Sequence, residues 1–169
     1  LPQGTMAQMV RDAAGKRVGT ITHVGLNTYV DPRIEGAKVN SKTTEDIVKL
    51  IEIEGEEKLL FKSQPLDVTF IRGTYADESG NISLEKECCT LDATSLAQCA
   101  KNNGGKVFVQ VEKVVANGSL DPRTVKIPGI YVDAVIIAEG DDNAQIYKQE
   151  YDGSMTGDFR VPLGSLEAP

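Results

Sequence analysis

No tryptophan, one histidine and an aromatic content of 5% in 169 residues leave this chain poorly supplied for stacking on bases. Cations are also short: Lys and Arg total 18 against 25 Asp and Glu, a formal charge of −7. A surface of that balance does not neutralise phosphate, so nucleic acid is not an expected partner. Long hydrophobic runs are missing as well. The stretch Ala134-Val135-Ile136-Ile137-Ala138 is far short of the ~20 residues that cross a bilayer, and no charged, apolar, small-residue leader opens the chain. A soluble protein without a membrane partner is expected. The cysteines number three, two of them adjacent (Cys88 and Cys89), and no pair has zinc-ligand spacing. Neither a disulfide framework nor a metal site is suggested, and a reducing cytoplasm fits best. An initiator methionine is also lacking: the sequence opens on Leu1-Pro2-Gln3-Gly4 and stops at Glu167-Ala168-Pro169, as a piece of something longer would.

What is present is globular: 40% apolar and 25% charged residues at roughly the size of one domain. Thr5 is a plausible N-cap for a helix in which Met6, Met9, Val10 and Ala13 recur at helical spacing, ending at Gly15. The β-branched run Thr20–Val24 predicts a strand that leads into an irregular loop, Gly25–Arg33. Val48–Ile53 and Lys58–Phe61, joined across Glu54–Glu57, predict a β-hairpin. Four Glu crowd its tip, either as a cation site or as a solvated turn; no regular oxygen-ligand spacing accompanies them. Strand Val68–Arg72, the loop Gly73–Ser83, a helix with Ala93, Leu96, Ala97 and Ala100 on one face, and strand Lys106–Val111 form a βαβ pattern. Asn103-Gly104-Gly105 stops that helix, since Asn and Gly tolerate a left-handed helix end. The apolar run Val132–Ala138 reads as a strand buried on both faces, as in parallel sheets. The fold class is therefore α/β, a mainly parallel sheet flanked by helices with a β-hairpin excursion.

Few residues offer chemistry. Any Ser-His or Cys-His catalysis must use His23, which falls inside a predicted strand; a histidine packed against the sheet is the alternative. Cys99 lies near the apolar face of its helix and Cys88 and Cys89 near the start of that helix, positions where a thiol behaves as a small hydrophobe. Gly104-Gly105-Lys106 looks like the end of a phosphate loop, but Val107 replaces the required Ser or Thr and a strand follows where a helix must begin. More informative are Gly25–Arg33 and Gly73–Ser83, Gly-rich loops at the carboxyl ends of predicted parallel strands, where open α/β folds place ligands. Their exposed N–H groups could meet a carboxylate or an oxyanion; ordinary βα turns are the other reading.

Several motifs together resemble the coenzyme A-transferases of the acetate/propionate type (family I). They are Leu1-Pro2-Gln3-Gly4-Thr5, His23-Val24-Gly25 with Thr28-Tyr29-Val30-Asp31-Pro32-Arg33, Lys38-Val39-Asn40, the run Arg72–Ser83, Gly104-Gly105-Lys106-Val107 and Lys126-Ile127-Pro128-Gly129. The resemblance spans nearly the whole chain. It implies the amino-terminal half of a short-chain acyl-CoA:carboxylate CoA-transferase, with residues 1–157 in the CoA-transferase α/β/α domain and residues 158–169 as a connector to an absent carboxyl-terminal domain. In such enzymes a glutamate carboxylate attacks an acyl-CoA, and a glutamyl-CoA thioester then passes its CoA to a second carboxylic acid, with coenzyme A as a substrate and no metal or redox cofactor.

The resemblance places the nucleophilic Glu in the half that follows, so no catalytic residue is assigned in this segment, which alone should be inactive. What it assigns is a pocket wall. Gln3 matches a pocket glutamine that orients the acyl group, although it could instead cap the first helix. Gly25, Asn27 and Thr28 match the loop lining the same pocket, where Asn27 replaces the usual glycine and so weakens an oxyanion role for its backbone. Asp77 and Asn81 would order the second loop, or simply form its turn. A homo-oligomer is expected. The alternatives are a non-enzymatic module that binds an acyl-CoA or a partner domain, and a sugar-phosphate isomerase or deaminase on a similar α/β scaffold, which would need a phosphate loop.

Overall fold

A computed structural model of the chain describes residues 1–147, 149 and 151–165, which form two compact units. The first comprises Leu1–Asp67 with Gln98–Gly105, and the second Val68–Ala97 with Lys106 onward.

In the first unit, helix α1 (Gln3–Ala14) precedes strands β1 (Gly19–Thr22), β2 (Val48–Ile53) and β3 (Glu56–Lys62). The strands make one antiparallel sheet in the order β1-β3-β2. β2 and β3 are the expected hairpin, closed by the two residues Glu54 and Gly55 at φ 54° and 81°. Positive φ at both central positions matches the twist of the flanking strands, and a glycine at the second carries it without steric cost. The core gathers Met9 from α1, Val48 from β2, Leu59 and Phe61 from β3, and Val30 from the loop after β1, with Leu1 and Leu26 packed against it.

Three expectations change here. The helix starts at Gln3, with extended Pro2 at the cap, rather than at a Thr5 cap: Met6 N–H donates to the Pro2 carbonyl at 3.0 Å, and Thr5 is buried inside the first turn. Proline serves there because its fixed φ and missing donor are no handicap at a helix entry. β1 ends at Thr22, not Val24, because the Thr22 hydroxyl accepts the Val24 amide at 3.1 Å and turns the chain. His23 therefore lies exposed in that turn and does not pack on the sheet. Finally, β1 runs antiparallel to β3, so the loop after it does not follow a parallel strand.

In the second unit, β4 (Val68–Arg72), β7 (Lys106–Val111) and β10 (Ala134–Ile137) form the parallel sheet, in the order β10-β7-β4. Between β4 and β7 in sequence runs helix α2 (Ala93–Asn102), the βαβ crossover read from the sequence, with its residues up to Ala97 in the second unit and those from Gln98 in the first. Its Ala93, Ala97 and Ala100 are buried as the spacing predicts. The thiol of Cys99 on its last turn is fully buried and its pKa pushed up by that burial, whereas Cys89, ahead of the helix, is exposed. A second sheet, β8-β5-β6-β9, comprises β5 (Tyr75–Asp77), β6 (Ile82–Ser83), β8 (Lys113–Val115) and β9 (Val125–Ile127), with β5 parallel to β8 and the other pairs antiparallel.

The stretch Gly73–Ser83 is thus a short hairpin and not a loop throughout. The last apolar run also differs. Only Ala134–Ile137 is strand, it lies at the edge of its sheet, and Ile136 and Ile137 are about half exposed where burial on both faces was expected. Beyond it, α3 (Gly153–Thr156) is capped by the Asp152 side chain on the Ser154 amide, and Leu163–Ser165 form a 3-10 turn. Of the stretch 158–169 expected as a connector, residues 166–169 lie outside the described residues.

Candidate functional site

Gln3 is the first residue of α1 and exposed. Its neighbours Pro2, Gly4 and Thr5, with Gln8 one turn on, form one wall of a groove of about 330 Å³. The other wall is Thr20, Ile21 and Thr22 of β1 with Val24, the residue before Gly25. Leu1 and Leu26 pack on the same core cluster, which anchors the start of α1 and the loop after β1 to a common base. Gln3 and Gly25 are each next in sequence to residues that line this groove, and neither lines it itself.

The loop from Gly25 is built tightly. Gly25 has φ 102°, and a Cβ on it would lie 2.4 Å from Val30 Cγ2, so only glycine fits. Asn27 holds φ 61°, a left-handed conformation that asparagine tolerates better than most residues. The backbone amides turn inward: Leu26 N–H donates to the His23 carbonyl, Thr28 N–H to the Gly25 carbonyl and Asn27 N–H to Asp31 Oδ2, at 3.2, 3.1 and 2.9 Å. The Thr28 hydroxyl also donates to the Gly25 carbonyl, at 2.8 Å. These amides are thus engaged within the loop and are not the outward donors the sequence suggested. What Asn27 presents to solvent is its carboxamide, on an exposed side chain.

The residue that organises this loop escaped the sequence reading. Asp31 is fully buried, and its carboxylate accepts from Asn27 N–H, from Arg33 N–H at 3.0 Å, and from Arg33 Nε and Nη2 at 3.1 and 2.8 Å. The Arg33 side chain, then the Asn27 and Arg33 amides, hold the Asp31 carboxyl well below the usual carboxylate range, and Asp31 with Glu57 pushes the Arg33 guanidinium further up. The outer edge of Arg33 reaches both oxygens of Glu57 on β3 at 3.0 Å. The one signal in the sequence was local: an Asp two residues before a backbone amide it can accept is an Asx-turn pattern. Of the four Glu at the hairpin tip, Glu57 is half of an ion pair with Arg33 and Glu56 pairs with Lys58.

Asp77 and Asn81 sit in the second unit, at the β5–β6 turn. Asp77 is nearly fully buried and accepts from Ser79 N–H, Asn81 N–H and Asn81 Nδ2, each at 2.9 Å. The Asn81 Oδ1 in turn accepts the Gly129 amide at 2.9 Å, so the pair ties the turn to the segment after β9. Burial pushes the Asp77 pKa up, but the Asn81 side chain and the Asn81, Ser79 and Gly118 amides together outweigh it, and the net displacement is downward. Both residues are hydrogen-bonded within this turn, and Asn81 also to the segment after β9.

Gly104 and Gly105 end α2 and lead straight into β7, with no helix to hold a phosphate. Among the described residues no three His, Cys, Asp or Glu side chains converge as metal ligands, and no helix is long and apolar enough to cross a membrane.

Comparison with known proteins adds a family frame. The model of the family described as coenzyme A transferase matches residues 1–138. A caffeate CoA-transferase of Acetobacterium woodii is 49% identical over 168 residues, which is 98% of this chain and 32% of that protein. The acetate CoA-transferase YdiF of Escherichia coli K12 is 42% identical over 146 residues, 86% of this chain and 27% of that protein. The crystal structure of an acyl-CoA transferase from E. coli O157:H7, a thioester complex with CoA, superposes with a TM-score of 0.90 at 40% identity, over 95% of this chain and 33% of that one. The chain spans about a third of the length of these relatives.

Proposed function

We propose, from the premise that the chain belongs to the coenzyme A transferase family, that it is part of a short-chain acyl-CoA:carboxylate CoA-transferase of the acetate, propionate or butyrate class. The observation that carries this reading is the asymmetry of coverage: relatives match almost all of this chain, while it accounts for about a third of theirs. Transfer then proceeds by exchange at a glutamate supplied from outside residues 1–169. Its carboxylate adds to the thioester carbonyl of acyl-CoA, and the CoA thiolate leaves with the electron pair to give an acyl-glutamyl anhydride. The thiolate returns to the glutamyl carbonyl, the acyl group departs as a carboxylate, and a glutamyl-CoA thioester remains. A second carboxylate repeats both steps in reverse order and leaves as the new acyl-CoA. No metal or redox cofactor enters this sequence, and coenzyme A is a substrate.

A carboxylate is a weak nucleophile towards a thioester, so the rate comes from positioning and from donors aimed at the anionic intermediates. Gln3, Gly25, Asn27 and Thr28 supply one wall of that pocket. Gln3 offers a carboxamide at the start of α1, Asn27 a second from its left-handed turn, and Gly25 and Thr28 shape the backbone between. Asp77 and Asn81 hold the second loop in place. Residues 158–169 connect to the catalytic half, and the assembled enzyme works as a homo-oligomer in the cytoplasm, without nucleic acid or membrane partners.

Complementation tests this. Residues 1–169 alone are expected to transfer no CoA between propionyl-CoA and acetate, and mixing them with a separately produced carboxyl-terminal half of a family member restores transfer. Turnover by residues 1–169 alone would show that the nucleophile lies within them. Binding of the half without turnover would favour a non-enzymatic module.

A further inference from the structure

We infer that Asp31, tied through Arg33 to Glu57, is the positioning residue that holds the Asn27–Thr28 edge of the substrate pocket, an inference that rests on the reading of that loop as pocket wall. The argument starts from a cost. A carboxylate removed entirely from water is unfavourable unless donors replace its hydration, and Asp31 is 0% exposed. Its donors all come from its own loop: the amides of Asn27 and Arg33 and the fork of the Arg33 guanidinium. The Asp31 carbonyl is used as fully, accepting the amides of Ile34, Glu35 and Gly36 at 2.9, 3.2 and 3.0 Å. One residue thus ties the chain on both sides of itself.

The upstream tie matters for function. Asn27 sits at φ 61°, a left-handed conformation that even asparagine adopts at some cost and that a fixed hydrogen bond on its amide helps to hold. The acceptor of the Asn27 amide is Asp31 Oδ2. Release that oxygen and Asn27 can relax to negative φ, which reorients its exposed side chain. The downstream tie registers the loop on the sheet, since Arg33 Nη1 grips Glu57 of β3 through both oxygens while its other edge holds Asp31. The Arg33–Asp31 pair is the bidentate one, Nε to Oδ1 and Nη2 to Oδ2, and such a pair fixes orientation as well as distance. Neither Asp31 nor Glu57 need touch substrate for this.

The experiment uses the full-length enzyme and reads the Asn27 amide as well as activity. In Asp31→Asn, one carboxylate oxygen becomes an NH2 facing donors, so Asn27 N–H should exchange with deuterium at a loop-like rate while α1 and β3 stay protected. CoA transfer should fall about 10²-fold, the scale of a displacement of about 1 Å at a reacting centre. In an Asn27→Ala background the same substitution should cost less than about threefold, because the carboxamide it positions is already gone. A merely structural role would give the full loss in both backgrounds. Should Asp31→Asn fail to fold, Glu57→Ala loosens only the outer tie and should lower transfer by about three- to tenfold, again only with Asn27 present. An unchanged Asn27 amide and unchanged rate in Asp31→Asn, or equal losses with and without Asn27, overturn the inference while leaving the pocket reading intact. Unchanged transfer in Asn27→Ala alone overturns the pocket reading and the inference with it.

Discussion

Asp77→Ala is expected to destabilise the second unit by about 3 kcal/mol, read as a lower urea midpoint at pH 7, because the Ser79, Asn81 and Gly118 amides and the Asn81 side chain lose one carboxylate at once. Each buried donor left without an acceptor costs about 1–3 kcal/mol, and part of that is recovered where water enters at the exposed Ser79 side of the turn. The damage spreads past the turn. Asn81 is oriented by Asp77 through its Nδ2 and passes that orientation on through its Oδ1 to Gly129 N–H. Gly129 has no freedom to follow, since a Cβ there would lie 2.1 Å from the Ser79 carbonyl oxygen: the two backbones are already in contact. The same carboxylate sets a pH dependence. Its folded pKa is depressed, so its contribution is full above the unfolded value near 4 and is lost as pH falls through the lower folded value. Wild type should therefore lose stability below about pH 4 more steeply than Asp77→Ala, and the gap between their urea midpoints should narrow towards pH 2. A gap that stays constant from pH 7 to pH 2 would mean that the lost contacts do not depend on the charge of Asp77.

How much of this was legible in the sequence depended on how local its cause was. The hairpin could be read because Glu54-Gly55 sits between two β-rich runs and one turn type satisfies both. β4, α2 and β7 could be read because their apolar spacing and the Asn103–Gly105 stop are properties of adjacent residues. β5 and β6 could not, being three and two residues long and strands only because of pairing with β8 and β9. The direction of β1 was equally hidden: nothing in Thr20–Thr22 says that its neighbour is β3 and antiparallel. The exposed edge of β10 follows the same rule, since an apolar run announces that it can be buried but not by what. At the site, the sequence supplied the residues through a family resemblance, while their interactions came from the structure. Asn27 was doubted as a backbone donor because it is not glycine. The physical reason its amide is engaged is different: Asp31, four positions on, already accepts it. The link from Arg33 to Glu57 spans 24 residues, and no periodicity reports a contact at that distance.

Gly25→Ala should lower the stability of the first unit by about 3 kcal/mol or more. Two effects combine. At φ 102° any L-residue is strained, by about 1–3 kcal/mol. The added methyl then meets Val30 Cγ2 at 2.4 Å and Leu59 Cδ1 at 3.3 Å, both on fully buried side chains of the core and neither free to swing into solvent. Overpacking a closed core adds about 1–3 kcal/mol. Removing the obstacle separates the two. Val30→Ala alone leaves a small cavity and costs stability, but in the Gly25→Ala background it removes the atom that the new methyl strikes. The double variant should therefore be more stable than the sum of the single losses by at least about 1 kcal/mol in a urea-unfolding cycle. The strain at φ 102° would remain, so the double variant should still fall below Val30→Ala alone. Strict additivity would show that the loop moves off Val30 when Gly25 is replaced, and CoA transfer in the full-length enzyme should then fall along with stability, because Asn27 and Thr28 move with it.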